Sequence, residues 1–591
     1  MTETIPISAV FILGAFFLPL LKGKARVTWL LILPCLALAN LSLAPDGISW
    51  QVPFLGQKLL LNRIDPLSRI FGYVFILITF IGTIFALHIK ENTQHMAALI
   101  YAGAALGVTF SGDLFTLYIF WELMAIASCM LILARKTTEA RKAAFRYFIW
   151  HFFGGACLLA GIVRYVSFTG SPAFSFIGLG DPGTYLIFTG FCLNAAIFPF
   201  HAWVPDAYPR ATVTGAVFMS ALTTKSAVYI LARTFPGTEV LMWAGAFMTC
   251  FPIFYAVLAN DMRRVLSYSL VNQVGFMVCG IGIGSHLAIN GVVAHAFCHI
   301  IYKALLFMSM GAVLHMTGRV RATDLGGLYK SMPLTAVFCM IGAASISAFP
   351  LFSGFVSKSL TMTAVAEAHQ TFIWLALLFA SAGVFHHAGI KVPYYVFFGH
   401  DVGITTREPP MNMRIAMGLA AFICIFLGIY PAPLYALLPF PVNYQPYTFF
   451  HVIGMLELLL FGALAFTVLT LSGFYPPELR AVNLDTDWFF RLPGRAFVEF
   501  CHKPLKGFAG FVEDKVDKLI YVAVSLPQQS LGIEAWLDKI VHHRLTASPF
   551  NALKHLIPLK TESRSLSWNM LYILVPFAGI LFFILIYGAG R

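Results

Sequence analysis

FTGFCLNAAIFPFHAWVPDAYPRATVTGAVFMSALTTKSAVYILAR, residues Phe188–Arg233, is the stretch whose reading decides the fold. An apolar helix runs into Pro199, gives way to the polar run His201–Arg210, which contains Pro205 and Asp206, and restarts as a second apolar helix. Proline has no N–H to donate and clashes with the preceding turn, so it ends the first helix. In lipid, the backbone groups freed by such a break must be satisfied by protein or water. Lys225 sits inside the second apolar helix. A lysine at bilayer depth costs about 2.5–3.5 kcal/mol on insertion scales. Broken helices beside buried charges are where transporters build ion sites.

The rest of the chain has the same character. Of 591 residues, 59% are hydrophobic and 11% are charged. That balance, with apolar runs about 20 residues long recurring along the chain, reads as an all-α polytopic membrane protein of about sixteen spans. Met1–Leu20 lacks a basic start and carries Glu3, so it reads as a retained span, not a cleaved leader. The ten cysteines form no CxxC pair, which points away from a disulfide frame or a zinc or iron–sulfur centre. The net charge of +13 reads as basic loops and not as nucleic-acid binding.

Basic clusters follow the first, fifth, ninth, eleventh and thirteenth spans: Lys22, Lys24 and Arg26; Arg135 to Arg146; Arg263 and Arg264; Arg319, Arg321 and Lys330; Arg407 and Arg414. All then lie on one side. By the positive-inside rule that side is the cytoplasm, the membrane is the cell's inner membrane, and both termini face outward. Residues 46–68 alternate in polarity like a hairpin.

The expected organisation is N-terminal helices over 1–94, a first repeat over 95–234, a second over 239–398, further helices over 415–472, an amphipathic arm over 473–567 and a final helix over 568–591. In the arm, Pro493, Pro504, Pro527, Pro549 and Pro558 interrupt the helical periodicity, so several helices along the cytoplasmic membrane surface are expected, not one rod. The two repeats are tied together by AIFPFHAWVPD (196–206) and AFPLFSGFVSK (348–358), each a Phe-Pro break at Pro199 or Pro350 followed by a long apolar helix with an internal lysine. Paired broken helices are the mark of an inverted-repeat transporter.

Seven ionisable residues lie in apolar surroundings: Glu122, Lys225, His295, His299, Lys303, Lys358 and Lys391. A unit charge pair 4 Å apart at an effective dielectric near 20 is worth about 4 kcal/mol, so a proton gained by one group alters the next. That is the property of a relay. The competing readings are a structural helix-to-helix ion pair for Glu122, snorkelling for Lys225 and Lys391, and packed core rings for the histidines. His295, His299 and Lys303 recur every four residues on one helix stripe. HxxxH is also a metal spacing, but zinc hydrolases use HExxH, and no metal is expected here. Asp261, Arg263 and Arg264 read as a loop cluster that sets topology, and Glu457 has no assigned role.

Taken together, FWELM (120–124), FPFHAWVPDAY (198–208), LTTKSAVYILAR (222–233), NDMRRVLSYSLVNQVGFM (260–277), HAFCHIIYKALLF (295–307) and PLFSGFVSK (350–358) resemble one family. It comprises the antiporter-like subunits of respiratory complex I and of Mrp-type multisubunit cation/proton antiporters, and the likeness covers roughly 70–475. The resemblance implies that Glu122 is the family's fifth-helix glutamate and that Lys225 is the eighth-helix lysine of Mrp D-type subunits. It also implies that His295 and His299 are the central histidines and Lys358 the twelfth-helix lysine. The family's lysine on the broken seventh helix is Asn194 here, which leaves Lys225 as the candidate partner of Glu122. The TTKSAVY segment looks like the D-type branch, and the late arm with a last helix looks like the largest antiporter-like subunit of complex I.

The expected function is proton translocation, with Na⁺ as the candidate exchange ion, by a chain that works among other membrane subunits. The sequence shows no nucleotide, flavin or quinone motif, so no cofactor is expected and any redox reaction belongs to partners. The rival readings are a non-pumping scaffold and a redox-driven proton-pump subunit.

Overall fold

Each helix starts and stops on a local signal. In the computed structural model, which describes residues 5–54, 57–481 and 483–525, Asp65 accepts from the Ser68 N–H at 2.9 Å while the Ser68 hydroxyl accepts from the Asp65 N–H, with Pro66 at the first helical position. Asp113, Thr137, Asp181, Thr212, Asp261 and Ser285 cap later helices with their side-chain oxygens. These are the residue types that satisfy the orphan N–H groups of a first turn. Gly170, Gly284 and Gly318 end three of those helices in the left-handed conformation.

The elements run α1 (Ile7–Phe17), α2 (Gly23–Leu43), β1 (Gly47–Phe54), β2 (Gln57–Ile64), α3 (Pro66–Ala86), α4 (Asn92–Phe110), α5 (Leu114–Leu133), α6 (Thr138–Thr169) and α7 (Pro182–Asn194). Next come α8 (Trp203–Ala207), α9 (Val213–Ala221), α10 (Thr223–Thr234), α11 (Glu239–Leu258), α12 (Met262–Ile283) and α13 (His286–Thr317). The last are α14 (Pro333–Ile346), α15 (Ser353–Glu367), α16 (Thr371–Val384), α17 (Met411–Ile429), α18 (Ala432–Tyr435), α19 (Phe449–Leu471) and α20 (Asp487–Ser525). Among the described residues, 11 helical segments are long and apolar enough to cross a bilayer, the α9–α10 stretch counting as one. The hairpin expected over 46–68 is present as β1 paired antiparallel with β2, Gly47 opposite Ile64.

α9–α10, α12 and α13 are buried almost throughout, whereas α2 and α19 are largely exposed. A helix apolar all round and enclosed by others is a core helix. The buried polar residues therefore sit on the innermost helices.

Several expectations are corrected. The helix before the second break ends at Ile346, and α15, which begins three residues after Pro350, is a separate helix ahead of α16, shorter than the long one expected. The second apolar helix expected after the polar run His201–Arg210 is broken at Leu222, between α9 and α10. Beyond α16 the chain winds into π-helical turns, Phe385–Lys391 and Tyr394–Phe398, on either side of Pro393. Proline cannot donate to the i−4 carbonyl, and a wider turn is one way to pass it.

The chain divides into two compact units, 1–487 and 488–591. In the second, the described part is the body of α20, one helix that runs through Pro493 and Pro504 where several helices were expected. Each proline removes a single N–H from the ladder, and the flanking residues carry the helix across the gap. The remainder of the arm and the final helix over 568–591 lie outside the described residues.

Candidate ion-conducting site

The two Phe-Pro breaks are built alike. Past the end of α7, Ala196 takes φ 57°, its N–H donates to Leu193 O at 3.0 Å, and Ile197 N–H donates to Cys192 O at 3.0 Å. Past the end of α14, Ala348 takes φ 59°, its N–H donates to Ser345 O at 3.1 Å, and Phe349 N–H donates to Ala344 O at 3.0 Å. Both helices close on a Schellman-type pattern with alanine at the place glycine usually fills. Pro199 and Pro350 follow, while Pro205 and Asp206 lie within α8. Asp206 is clamped by Arg146, whose Nε lies 2.7 Å away, and by Arg210 at 2.7 Å.

α5, α6 and α7 place three residues for the first half of the site. Glu122 lies on α5, opposite Gly155 of α6: a methyl built on Gly155 would stand 1.8 Å from Glu122 Oε1. Asn194 is the last residue of α7 and is fully buried. Glu122 Oε1 and both polar atoms of the Asn194 amide have no hydrogen-bond partner among the described residues. The expected pairing of Glu122 with Lys225 does not occur. Lys225 Nζ donates instead to Ser220 O at 2.7 Å and Thr224 Oγ1 at 3.0 Å. The break at Leu222 explains this. It takes Thr223 N–H out of the helical ladder, where Tyr101 Oη accepts it at 3.0 Å, and it exposes the Ser220 carbonyl to the ammonium. Lys225 is wholly buried, so the snorkelling reading fails.

α12, α13 and α15 carry the centre. His295 Nδ1 lies 3.3 Å from Ser357 Oγ, and the His295 and His299 rings are 6.1 Å apart, centre to centre. Tyr302 sits 5.2 Å from His299 and donates to Gln273 Oε1 at 3.1 Å, and the Gln273 amide donates to Asn272. Lys303 Nζ donates to Ser269 Oγ at 3.0 Å. Lys358 Nζ donates to Ile346 O at 3.1 Å, on the helix end just before the second break, and lies 5.0 Å from the centre of the Phe276 ring. The charges of Lys225, Lys303 and Lys358 all act on His299. The structure thus brings Lys225, His295, His299, Lys303 and Lys358 together. Glu122 and Asn194 are not ion-paired to this group among the described residues.

Lys391 is held by a separate set of partners. It lies in the first π-helical turn, fully buried, and donates to the carbonyls of Ala256, Val257 and Ala259 at the C-terminal end of α11. Its ammonium also pairs with Glu478 at 2.7 Å, so it is not a free anchor at the lipid surface.

Glu478 and Asp485 were missed in the sequence. They lie in the irregular segment after α19, where two carboxylates in a mixed polar stretch give no hint of a partner. Asp485 accepts from His201 Nε2 at 3.0 Å and Tyr268 Oη at 2.7 Å. Burial pushes its carboxyl up, but these hydrogen bonds, the Coulombic pull of His201 and the Thr486 N–H together hold it below its ordinary value. Burial is also the larger influence on Glu478, and it keeps that carboxyl above the usual range against the pull of Lys391. Arg263 is corrected as well. It is buried and donates to the carbonyls of Tyr208, Ala211 and Thr212, while Asp261 caps α12; neither is a plain loop charge.

Comparison with known proteins places this arrangement. Residues 111–383 match the family described as NADH:quinone oxidoreductase/Mrp antiporter, TM. The D subunit of the Na(+)/H(+) antiporter of Alkalihalophilus pseudofirmus is 30% identical over 471 residues, covering 73% of this chain and 94% of the relative. The chain belongs to this antiporter-like membrane family. The A/B subunit of a probable K(+)/H(+) antiporter of Rhizobium meliloti is 32% identical over 421 residues, and the chain spans only 41% of that longer protein. Among solved structures, a chain of the membrane-bound sulfane sulfur reductase, an archaeal respiratory membrane complex, superposes with a TM-score of 0.66 at 26% identity, covering 73% of this chain and 95% of that one. Every residue of the polar group except Glu478, Asp485 and Lys391 falls within the family match.

Proposed function

We propose that the chain is a proton-translocating subunit of a multisubunit membrane complex, in which protons move along Glu122, Lys225, His295, His299, Lys303, Lys358 and Lys391. A monovalent cation, Na⁺ or the K⁺ named for one relative, is exchanged for them. The observation that carries this reading is the row of lysines and histidines buried on the innermost helices, with both ring nitrogens of His299 lacking a partner among the described residues. Buried polar atoms are normally satisfied, and those that protein leaves open in a polar site are where water serves. Such a row, with charges that act on one another, passes protons stepwise.

Further parts of the proposal follow from the family and the sequence. The fold has about sixteen spans arranged as two inverted repeats around the breaks at Pro199 and Pro350. It lies in the inner membrane with the basic loops inside and both termini outside. Its partners are other membrane subunits. At 100 mV, moving one charge across the membrane amounts to about 2.3 kcal/mol, a load that one buried charge coupling can match. A redox-driven complex is the second reading, favoured by the likeness to a chain of an archaeal respiratory complex. Chromatography of the native complex decides between them: peripheral iron–sulfur subunits indicate the redox assembly, and small hydrophobic subunits alone indicate the antiporter. Ion flux after Glu122→Gln and Lys225→Ala, each made separately, tests the row. Both variants should lose flux, and unaltered flux in both would leave only a scaffold.

A further inference from the structure

We propose that Glu478 is the residue through which the polar row exchanges protons with the face that carries the basic loops, with Lys391 as its donor. This rests on the reading of the row as a proton path. Glu478 belongs to no transmembrane helix. It is brought back to the helices by the irregular segment after α19, which is tied down at three places. Glu478 meets Lys391 at 2.7 Å, Arg480 meets Asp324 at 2.6 Å, and Asp485 meets His201 at 3.0 Å and Tyr268 at 2.7 Å. The segment therefore sets one carboxylate against each half of the site.

Both members of the pair are buried, the two Glu478 carboxyl oxygens included, and exposure begins only further along the segment. The Lys391 side chain is 0% exposed and that of Glu478 is 7% exposed, while Arg480, two residues on, is 66% exposed. Inward, Lys391 acts on His386 and His387, and Lys303 acts on His387 as well. Both nitrogens of His387 are buried without a partner among the described residues. Lys303, His387, Lys391 and Glu478 thus extend the row from the centre to a buried carboxylate two residues short of the exposed Arg480. The widened backbone of the π-helical turn Phe385–Lys391 carries both His387 and Lys391. Single π-helical turns recur at functional sites.

The proton balance is simple. The Lys391 ammonium gives one proton to the Glu478 carboxylate and becomes a neutral amine. Glu478, now a carboxylic acid, releases that proton to water at the surface. Lys391 is recharged by a proton arriving through His387. Burial of both groups makes the neutral pair accessible, because each charged form loses hydration there.

The experiment uses the full chain expressed with its native partner subunits, and reads proton flux per assembled complex in everted membrane vesicles. Glu478→Gln should lower flux by about 10²-fold, the scale of a lost proton-transfer group. Glu478→Asp, which keeps the acid, should retain a substantial part of it. The pair Lys391→Met with Glu478→Gln removes the unpaired buried charge but restores no relay, so it should stay as slow as Glu478→Gln alone. Wild-type flux in Glu478→Gln, or recovery of flux in the double variant, would overturn the inference and leave a purely structural ion pair. Lys225→Ala, measured alongside, separates the two levels. If it abolishes flux while Glu478→Gln does not, the proton path stands without this outlet. If both conduct normally, the path itself is wrong.

Discussion

Ala196 and Ala348 hold the same left-handed conformation, φ 57° and 59°, each two residues past the end of a helix that runs into a Phe-Pro break. Both are fully buried. A left-handed residue with a Cβ costs roughly 1–2 kcal/mol, and a β-branched residue costs more. Ala348→Val should therefore lower stability by more than about 2 kcal/mol, whereas Ala348→Gly, which relieves the backbone but loses a buried methyl, should stay within about 1 kcal/mol of wild type. Thermal unfolding in detergent checks both. Equal effects of valine and glycine would show that the conformation is not what limits this position.

Gly155 gives the Glu122 carboxylate its room. A methyl there would fall 1.8 Å from Oε1, and the carboxylate end of the side chain must swing away. Gly155→Ala should cost under about 1 kcal/mol in stability, because alanine favours the helix and the obstructing group is flexible. It should nevertheless lower proton flux toward the level of Glu122→Gln. Normal flux with alanine at 155 would mean that the position of Glu122 is immaterial to transport.

Arg263 clamps the chain that leaves the first break. Its guanidinium donates to three carbonyls, those of Tyr208, Ala211 and Thr212, from a buried position. Removing it orphans these acceptors, and each unsatisfied buried group costs about 1–3 kcal/mol. Arg263→Ala should fail to give a stable complex. Arg263→Lys, which cannot span all three in a fork, should assemble with a lowered unfolding temperature. Gel filtration and a melting curve report both outcomes.

Asp485 adds a pH dependence whose sign follows from its partners. Its folded carboxyl lies below the ordinary value of 3.8. A depressed acid contributes stability that is fully present above the unfolded value and is lost as pH falls through the folded one. The stability difference between wild type and Asp485→Asn should be level above about pH 5 and shrink steadily below about pH 4. A difference that instead grew on acidification would reverse the assignment.

The fold was legible where the physics is local. Long apolar runs and the Phe-Pro breaks are each written within a few residues, and so is the alternation that becomes the hairpin. The candidate row was legible because a lysine or histidine inside an apolar helix is conspicuous. What was hidden depends on distant chain segments. Nothing near Glu478 announces Lys391, and nothing near Asp485 announces His201, because those partners meet only when the segment after α19 folds back. The role of Arg263 was masked by its neighbours, since Arg264 beside it looks the same in sequence. The break at Leu222 lacks proline or glycine, and it relies on Tyr101, more than a hundred positions earlier, to accept the freed N–H.

Proton flux through a chain with His299→Phe is the most direct test of the polar row. His299 lies at its centre, with Lys225, Lys303 and Lys358 acting on it, and phenylalanine keeps the ring while removing both nitrogens. Everted vesicles containing the assembled complex should show flux reduced by about 10²-fold or more, the scale of a missing relay group. Vesicles that acidify at the wild-type rate, with the same amount of assembled complex, would contradict the account.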